Sequence, residues 1–489
     1  MTSLARNALS GVRWTTGSTV AGQVIFFITS AVLSRLLSAT DFGQMGMVLF
    51  FAGFLTLFNQ MGYGMALIQK QGANQTDFST VFWMNMGLGV VLFALFAGGA
   101  PVLARFYGEP DLAPLCRVLA LQYPLTALLL VHNTLMRREM RFRLLAFIGT
   151  AGLLSGAVGG IVLAVYGYGV WSLVFRLLIE MLVKLVLSWM LVRWRPSLCF
   201  SALSLSSMRK FSLNTLGLTL YDFSTRRNDT LLAGKLIGAA PLGVYTRAMP
   251  TFMEPLTATP NILSQVMFPV LSRLAPEPLR LRAAYVRALG MTALGVMPLT
   301  LGLAATGDDF IRTVYGPNWD GAISVTRLLA IIGLAQTVVS SAAWALQALG
   351  RTDTLLRIQI ASGCCQMAGL AAGAMRGAIL PMAIGYAAGV FISFFPVMAI
   401  ANRSIGLADG RWARSLVGPF GCAAVMAGLV YWLGFGLPAT WAPWARLSVR
   451  VGAGMVLYAG LVMAFRLEAW RDLMQSIRQH GVGAVLDAT

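Results

Sequence analysis

Charged residues are scarce in this sequence. Asp, Glu, Lys and Arg together make up 11% of its 489 residues, against roughly 25% in ordinary soluble domains. Apolar residues make up 57% of the chain, whereas soluble domains average roughly 45–50%. This composition argues against a soluble enzyme.

Acidic residues are the scarcer of the two charged types, with 18 Asp and Glu against 37 Lys and Arg. A soluble protein with so basic a balance would be expected to bind nucleic acid. The high hydropathy makes that interpretation poor, and we expect no nucleic-acid partner. The location of the basic residues is therefore more informative than their sum.

Residues that carry catalysis or bind metal are also few. The five cysteines are odd in number and lack metal-ligand spacing, so neither a disulfide framework nor a zinc site is indicated. The two histidines, His132 and His480, have no carboxylate or cysteine partner nearby in the sequence. No Walker loop is present, and the loops between apolar runs are too short for a glycosyltransferase or polymerase domain. We expect no cofactor, no metal ion and no enzymatic activity.

Long apolar runs are abundant. A hydrocarbon core about 30 Å thick needs roughly 20 apolar helical residues per crossing. Fourteen such runs cover residues 14–37, 42–67, 80–104, 113–135, 146–166, 169–192, 211–235, 241–271, 284–306, 321–347, 355–375, 378–401, 415–437 and 446–465. The first is not a cleaved signal peptide, because it ends in Arg35 and another run follows at once. The sequence predicts an all-α, polytopic membrane protein with fourteen spans.

The basic residues predict the orientation of these spans. If the N-terminus is inside, most Lys and Arg fall in loops on that same side. Cytoplasmic loops retain positive charge in membrane proteins. We therefore expect a multi-pass protein of the bacterial cell (inner) membrane with both termini in the cytoplasm.

The sequence also contains an internal repeat. Residues 35–43 (RLLSATDFG) are echoed by 235–243 (KLIGAAPLG), and a Tyr-Gly pair at 107–108 returns at 315–316. Six helices per repeat give two parallel lobes, an arrangement suited to rocking-type alternating access. The predicted organisation is an N-terminal six-helix lobe (1–200), a C-terminal six-helix lobe (201–410), two additional transmembrane helices (411–466) and a cytoplasmic amphipathic tail (467–489).

Charged residues within the spans are informative, because each costs at least a few kcal/mol at the bilayer centre. In span seven, helical spacing places one polar stripe along a single face: Thr215, Thr219, Asp222, Arg226 and Asp229. The equivalent positions of span one keep the threonines but carry no charge. This asymmetry favours residues that line a cavity. The alternative is a set of intrahelical ion pairs that satisfy one another.

Spans six and eight contribute further charges. Arg176, Glu180 and Lys184 follow one another at four-residue steps in span six. Span eight carries Glu254 and several prolines that predict a kink or local unwinding. Together with span seven these helices could form a net cationic chamber, which would attract phosphate. The predicted substrate-binding residues are Arg176, Lys184, Arg226 and Arg227.

Acidic residues within the predicted spans are candidates for coupling transport to a proton or sodium gradient. They are Glu180, Asp222, Asp229 and Glu254. The alternative is that each is neutralised in a structural salt bridge.

Motifs distributed over residues 1–405 carry a family resemblance. They are 32–43 (VLSRLLSATDFG), 61–70 (MGYGMALIQK), 81–85 (VFWMN), 227–229 (RND), 242–248 (LGVYTRA), 268–273 (FPVLSR), 315–316 (YG) with Trp319, and 348–353 (ALGRTD). In this order and spacing the chain resembles the polysaccharide-transporter branch (Wzx-like, colanic-acid and teichuronic-acid exporter type) of the multidrug/oligosaccharidyl-lipid/polysaccharide flippase superfamily.

The resemblance implies a flippase with the first and seventh helices beside a central cavity. Its substrate would be a polyprenyl-pyrophosphate-linked oligosaccharide, moved from the inner to the outer leaflet of the bilayer for surface polysaccharide synthesis. Its partners would be that lipid, the bilayer, an ion gradient, and the polysaccharide polymerase and glycosyltransferase machinery. An ion-coupled multidrug or cation antiporter of the related extrusion family is the alternative, although it predicts acid-dominated cavities. A membrane enzyme is disfavoured by the missing loops.

Overall fold

A computed structural model describes residues 3–471, except residues 227, 408–409, 439 and 468–469. Side chains are also left undescribed at 3–12, 60, 221–222, 225–226 and 250–266. Within the described part there are seventeen α-helices and no strand. The all-α, polytopic fold is thereby confirmed.

The helices follow the predicted spans closely, with spans two, four and seven each divided in two. Their bounds are α1 (Ser3–Leu36), α2 (Ala39–Gln60), α3 (Tyr63–Gln69), α4 (Gln75–Tyr107), α5 (Leu112–Leu119), α6 (Gln122–Arg138), α7 (Phe142–Val165), α8 (Trp171–Leu191), α9 (Ala202–Arg226), α10 (Asn228–Ile237), α11 (Ala239–Leu274), α12 (Pro278–Val314), α13 (Gly321–Ala348), α14 (Thr352–Ala374), α15 (Ile379–Ile405), α16 (Arg411–Gly436) and α17 (Pro443–Ala464). A 3-10 turn, Pro317–Trp319, precedes α13.

Ten helical segments among the described residues are long and apolar enough to cross a membrane. The predicted spans outside this set are six, seven, eight and eleven, formed by α8, α9 with α10, α11, and α14. Spans six, seven and eight are the ones that carry the predicted charged site. The number of fourteen spans stays a prediction.

Local sequence explains where several helices begin and end. Ser38 and Asp41 form a capping box at the start of α2, where Ser38 N donates to Asp41 Oδ2 at 2.8 Å and Asp41 N donates to Ser38 Oγ at 3.2 Å. Asn74 and Asp77 form the same arrangement at α4. Span two breaks at Met61 and Gly62, whose φ angles of 33° and 70° lie in the left-handed region.

Span eight departs from its prediction. The backbone is helical without interruption over α11, Ala239–Leu274. Of the two alternatives predicted from its prolines, the local unwinding is therefore wrong, and the kink stays a prediction. A proline can be accommodated in a membrane helix when neighbouring groups satisfy the freed carbonyl.

The chain divides into two compact units, Met1–Gly243 and Val244–Thr489. In the first unit α7 packs on α8 and α1, and α4 packs on α5 and α6. In the second unit α14 packs on α15, and α12 packs on α13, α16 and α17. The predicted lobes, 1–200 and 201–410, come from the repeat rather than from contacts, and they stay a prediction. Most of the predicted tail lies outside the described residues.

Candidate functional site

The charged stripe of α8 contains one hydrogen-bonded ion pair and one cation, Arg176, that interacts with the pair only electrostatically. Lys184 Nζ donates to Glu180 Oε1 at 2.5 Å, and the two side chains are 28% and 15% exposed. Arg176 lies one helical turn before Glu180, and Lys184 lies one turn after it. It is half-buried and makes no hydrogen bond or salt bridge with any residue that the structure describes. The predicted grouping of these three residues on one face is thus present, and Arg176 keeps its donors available.

Glycines of α7 face this charged stripe. Gly152, Gly156 and Gly160 recur at four-residue steps, which is the spacing of the stripe itself. A Cβ on Gly152 would lie 2.5 Å from Lys184 Cγ, and one on Gly160 would lie 2.9 Å from Arg176 Cβ. A Cβ on Gly156 would lie 2.6 Å from the Arg176 carbonyl oxygen. The stripe therefore lies in a groove that only glycine leaves open.

The equivalent helix pair of the second unit carries no charge at the positions that match the stripe. In the repeat, α14 and α15 are equivalent to α7 and α8. The residues 205 positions after Arg176, Glu180 and Lys184 are Pro381, Gly385 and Gly389. Gly369 and Gly385 meet so closely that a Cβ on either would overlap the carbonyl oxygen of the other. Packing in this pair needs small residues and no charge.

Of the four predicted site residues in span seven, Asp229 is the one with a described side chain. Asp229 lies in the first turn of α10, and its Oδ1 accepts a hydrogen bond from the Thr230 backbone N–H at 2.7 Å. Thr215, at the start of the predicted stripe, packs against Gly62 at the break in span two.

Other predicted site residues lie outside the description. The side chains of Asp222, Arg226 and Glu254, and the whole of Arg227, are not described. Among described contacts, α8 packs mainly on α7 and α6, whereas α9 packs on α2, α3 and α4. The main described contacts of α8 and α9 are thus with different helices, and the cationic chamber stays a prediction.

A second group of charges was missed at the sequence level. Arg450 of α17 is 1% exposed, and its Nη1 donates to Asp309 Oδ2 at 2.6 Å and to Asp308 Oδ1 at 3.1 Å, both on α12. Arg450 also donates to the carbonyl oxygens of Ala305 and Val430. This one side chain links α17 to α12 and α16.

Two further arginines complete this ion cluster. Arg446 Nε lies 3.7 Å from Asp309 Oδ1, and Arg327 Nη2 lies 3.7 Å from Asp308 Oδ1. The predicted span nine ends at residue 306, which leaves Asp308 and Asp309 outside it. In the structure α12 continues to Val314, so both aspartates lie on a helix, with Asp309 buried and Asp308 28% exposed. The available signal was the four-residue spacing of Arg446 and Arg450.

Nearby, an exposed ion pair closes the turn between α12 and α13. Arg312 donates from Nε and Nη2 to Asp320 at 2.9 and 2.8 Å. These hydrogen bonds lower the pKa of Asp320. The two side chains are 43% and 47% exposed, so the pair contributes little to stability.

His132 is a packed residue within the described structure. It is fully buried, and its ring lies 4.9 Å from the Trp189 ring and 5.4 Å from the Trp194 ring, measured between centroids. No group of three or more potential metal ligands occurs among the described residues.

Comparison with known proteins places the chain among proteins of polysaccharide biosynthesis. The family described as "Polysaccharide biosynthesis protein" matches residues 32–324. The teichuronic acid biosynthesis protein TuaB of Bacillus subtilis is 27% identical over 475 residues, covering 95% of this chain and 96% of that protein. The succinoglycan biosynthesis transport protein ExoT of Rhizobium meliloti is 26% identical, covering 77% of this chain and 76% of its own length.

Two solved structures share the fold. The lipid II flippase MurJ, in an inward closed conformation, matches with a TM-score of 0.72 at 12% identity, covering 95% of this chain and all of its own. An inward-facing multidrug transporter of the MATE family matches with a TM-score of 0.56 at 17% identity, covering 79% of this chain and 96% of its own. At these identities the likeness shows the fold alone.

Proposed function

Because the chain belongs to the polysaccharide biosynthesis protein family, we propose that it is a flippase for surface polysaccharide precursors. It moves oligosaccharide repeat units linked to a polyprenyl pyrophosphate across the cytoplasmic membrane by alternating access. The transport function named for ExoT and the fold shared with a lipid II flippase support this proposal. The protein acts as a transporter and not as an enzyme.

One observation carries the substrate assignment: Arg176 is a half-buried guanidinium with no described hydrogen bond or salt bridge, and its electrostatic neighbour Glu180 is already bonded to Lys184. A charge at this depth normally faces a counter-charge or a water-filled cavity. Glu180 is already bonded to Lys184, so the stripe of two cations and one acid has an excess of one positive charge. A pyrophosphate group supplies the missing negative charge, and a guanidinium can hold it through two parallel hydrogen bonds.

The rest of the predicted site belongs to the same proposal. Arg226 and Arg227 extend the phosphate contact, and Asp222, Asp229, Glu180 and Glu254 are the candidate carriers of a proton or sodium ion. Both termini lie in the cytoplasm, where glycosyltransferases supply the lipid-linked substrate. A polymerase on the outer side receives the product.

The antiporter alternative is the weaker one. The MATE-family likeness supports a common fold, and the basic excess of the α8 stripe is the opposite of what a cation-binding cavity requires. A drug exporter would change the susceptibility of cells to cationic compounds and leave surface polysaccharide unaffected.

The test measures surface polysaccharide in a deletion strain that expresses Arg176→Ala, Arg176→Lys or wild-type protein at equal abundance. We expect Arg176→Ala to lower export about tenfold or more, since a hydrogen bond to a charged group contributes about 1.5–3 kcal/mol. Export by Arg176→Lys should lie between that of Arg176→Ala and that of the wild type, because lysine keeps the charge and lacks the planar guanidinium. The control is Arg280→Ala, whose side chain is 74% exposed. Wild-type export by Arg176→Ala would refute the phosphate contact.

A further inference from the structure

The groove formed by Gly152, Gly156 and Gly160 of α7 is narrow enough to control where the charged side chains of α8 lie. Its three glycines contact Arg176, Glu180 and Lys184 in order, from Gly160 through Gly156 to Gly152. The contacts involve the aliphatic stems of Arg176 and Lys184, not their charged ends. Long basic side chains bury their stems on an apolar surface and keep the charged end free. The groove therefore determines how deep each stem lies and in which direction its charged end points.

The second unit shows what this helix pair requires for packing alone. There, Gly369 of α14 meets Gly385 of α15, and the other close contacts of this pair are likewise made by glycine against backbone. In the first unit the glycines are kept on α7, while the facing positions carry three long charged side chains. The α7 glycines are present although the facing side chains are large. This indicates that the groove accommodates those side chains.

We infer that Gly152, Gly156 and Gly160 are positioning residues for the anion-binding stripe. They hold the stems of Arg176 and Lys184 so that Lys184 stays bonded to Glu180 and the Arg176 guanidinium is left to bind the phosphate. This inference rests on the proposed function, because it assumes that the stripe binds the pyrophosphate.

The effect of each glycine should follow from what an added methyl group would meet. Gly160→Ala places a Cβ 2.9 Å from Arg176 Cβ and 3.0 Å from its Cγ, so the Arg176 stem must shift by several tenths of an ångström. Gly149→Ala is the matched control: it lies on the same helix, and its added Cβ meets no atom within 4 Å. Gly369→Ala is the packing control, because it disturbs an even tighter glycine contact, against the Gly385 carbonyl oxygen, with no charged neighbour.

The experiment is a double-mutant cycle on the affinity of the purified protein for farnesyl pyrophosphate, with farnesol as the uncharged comparison. Arg176→Ala should weaken pyrophosphate binding about tenfold or more. Gly160→Ala should weaken it about three- to tenfold in the wild-type background and not at all in the Arg176→Ala background, since coupled residues are not additive. Gly149→Ala and Gly369→Ala should bind as the wild type does, even where Gly369→Ala lowers the melting temperature.

The outcomes separate the inference from the proposed function. If Arg176→Ala binds the probe as the wild type does, the phosphate contact itself is refuted. If Arg176→Ala weakens binding while Gly160→Ala does not, only the positioning role fails. Equal losses from Gly160→Ala in both backgrounds would likewise refute it, because the glycine would then act independently of Arg176. Should Gly160→Ala not fold, Gly152→Ala with Lys184→Ala gives the same cycle at a more flexible stem.

Discussion

Replacing Arg450 with Met is expected to destabilise the second unit strongly, because it leaves Asp309 buried with only a more distant partner. Asp309 is 3% exposed, and its remaining cation, Arg446, lies 3.7 Å away. Removing one member of a buried ion pair costs about 3–5 kcal/mol. Since Arg446 compensates in part, we expect a loss near the lower end, about 3 kcal/mol.

A native cysteine can report this loss. Cys422 of α16 is 5% exposed and packs beside Leu294 of α12 and Val462 of α17. In a background without the other four cysteines, a thiol-reactive dye labels Cys422 only when these helices separate. A loss of about 3 kcal/mol should lower the midpoint of heat-induced labelling by about 6–12 °C for a unit of this size.

Two comparisons make the test specific. Arg312→Met removes an exposed ion pair of α12, the helix that carries Asp309, and we expect it to cost at most about 1 kcal/mol. Asp309→Leu combined with Arg450→Met should recover part of the loss, because no unpaired charge is then left at that position. If Arg450→Met shifts the midpoint no further than Arg312→Met, the ion cluster does not hold α17 to α12.

Three further predictions address coupling, motion and local stability. Glu180→Gln should abolish any dependence of transport on a proton or sodium gradient if Glu180 carries the ion, and flux in liposomes indifferent to both gradients would exclude coupling. Cysteines at positions 35 and 235, in a background without native cysteines, should crosslink, stop export and regain it on reduction; a crosslink that leaves export unchanged would argue against rocking lobes. Asp41→Ala should destabilise the start of α2 by about 1 kcal/mol, measured by hydrogen exchange of its first turn, because it removes half of a capping box.

The length of apolar runs predicted the helices well. A membrane span must satisfy its backbone hydrogen bonds internally, so it is helical and apolar over about 20 residues. The same reasoning missed the break at Met61 and Gly62. That break depends on two residues in the left-handed region, and hydropathy is continuous across it. The extension of α12 to Val314 was missed because Asp308 and Asp309 look like loop residues until Arg450 is placed beside them.

The α8 stripe could be predicted because its three charges lie on one helix at a fixed spacing. Its surroundings could not, since the groove is formed by α7 and glycine is common throughout the chain. Arg450 joins aspartates more than 140 positions away, and the spacing of Arg446 and Arg450 marks a charged face without naming its partners. Long-range pairs of this kind are visible only once the fold is known.

The most direct test of the account is flipping in proteoliposomes that contain only this protein and a polyprenyl-pyrophosphate-linked oligosaccharide. A lectin or glycosidase added outside measures how much of the glycan reaches the opposite leaflet. A flippase should give flux well above that of protein-free vesicles, and this flux should be lowered about tenfold or more by Arg176→Ala and unchanged by Arg280→Ala. Flux no greater than in protein-free vesicles, or flux equal in Arg176→Ala and wild-type protein, would contradict it.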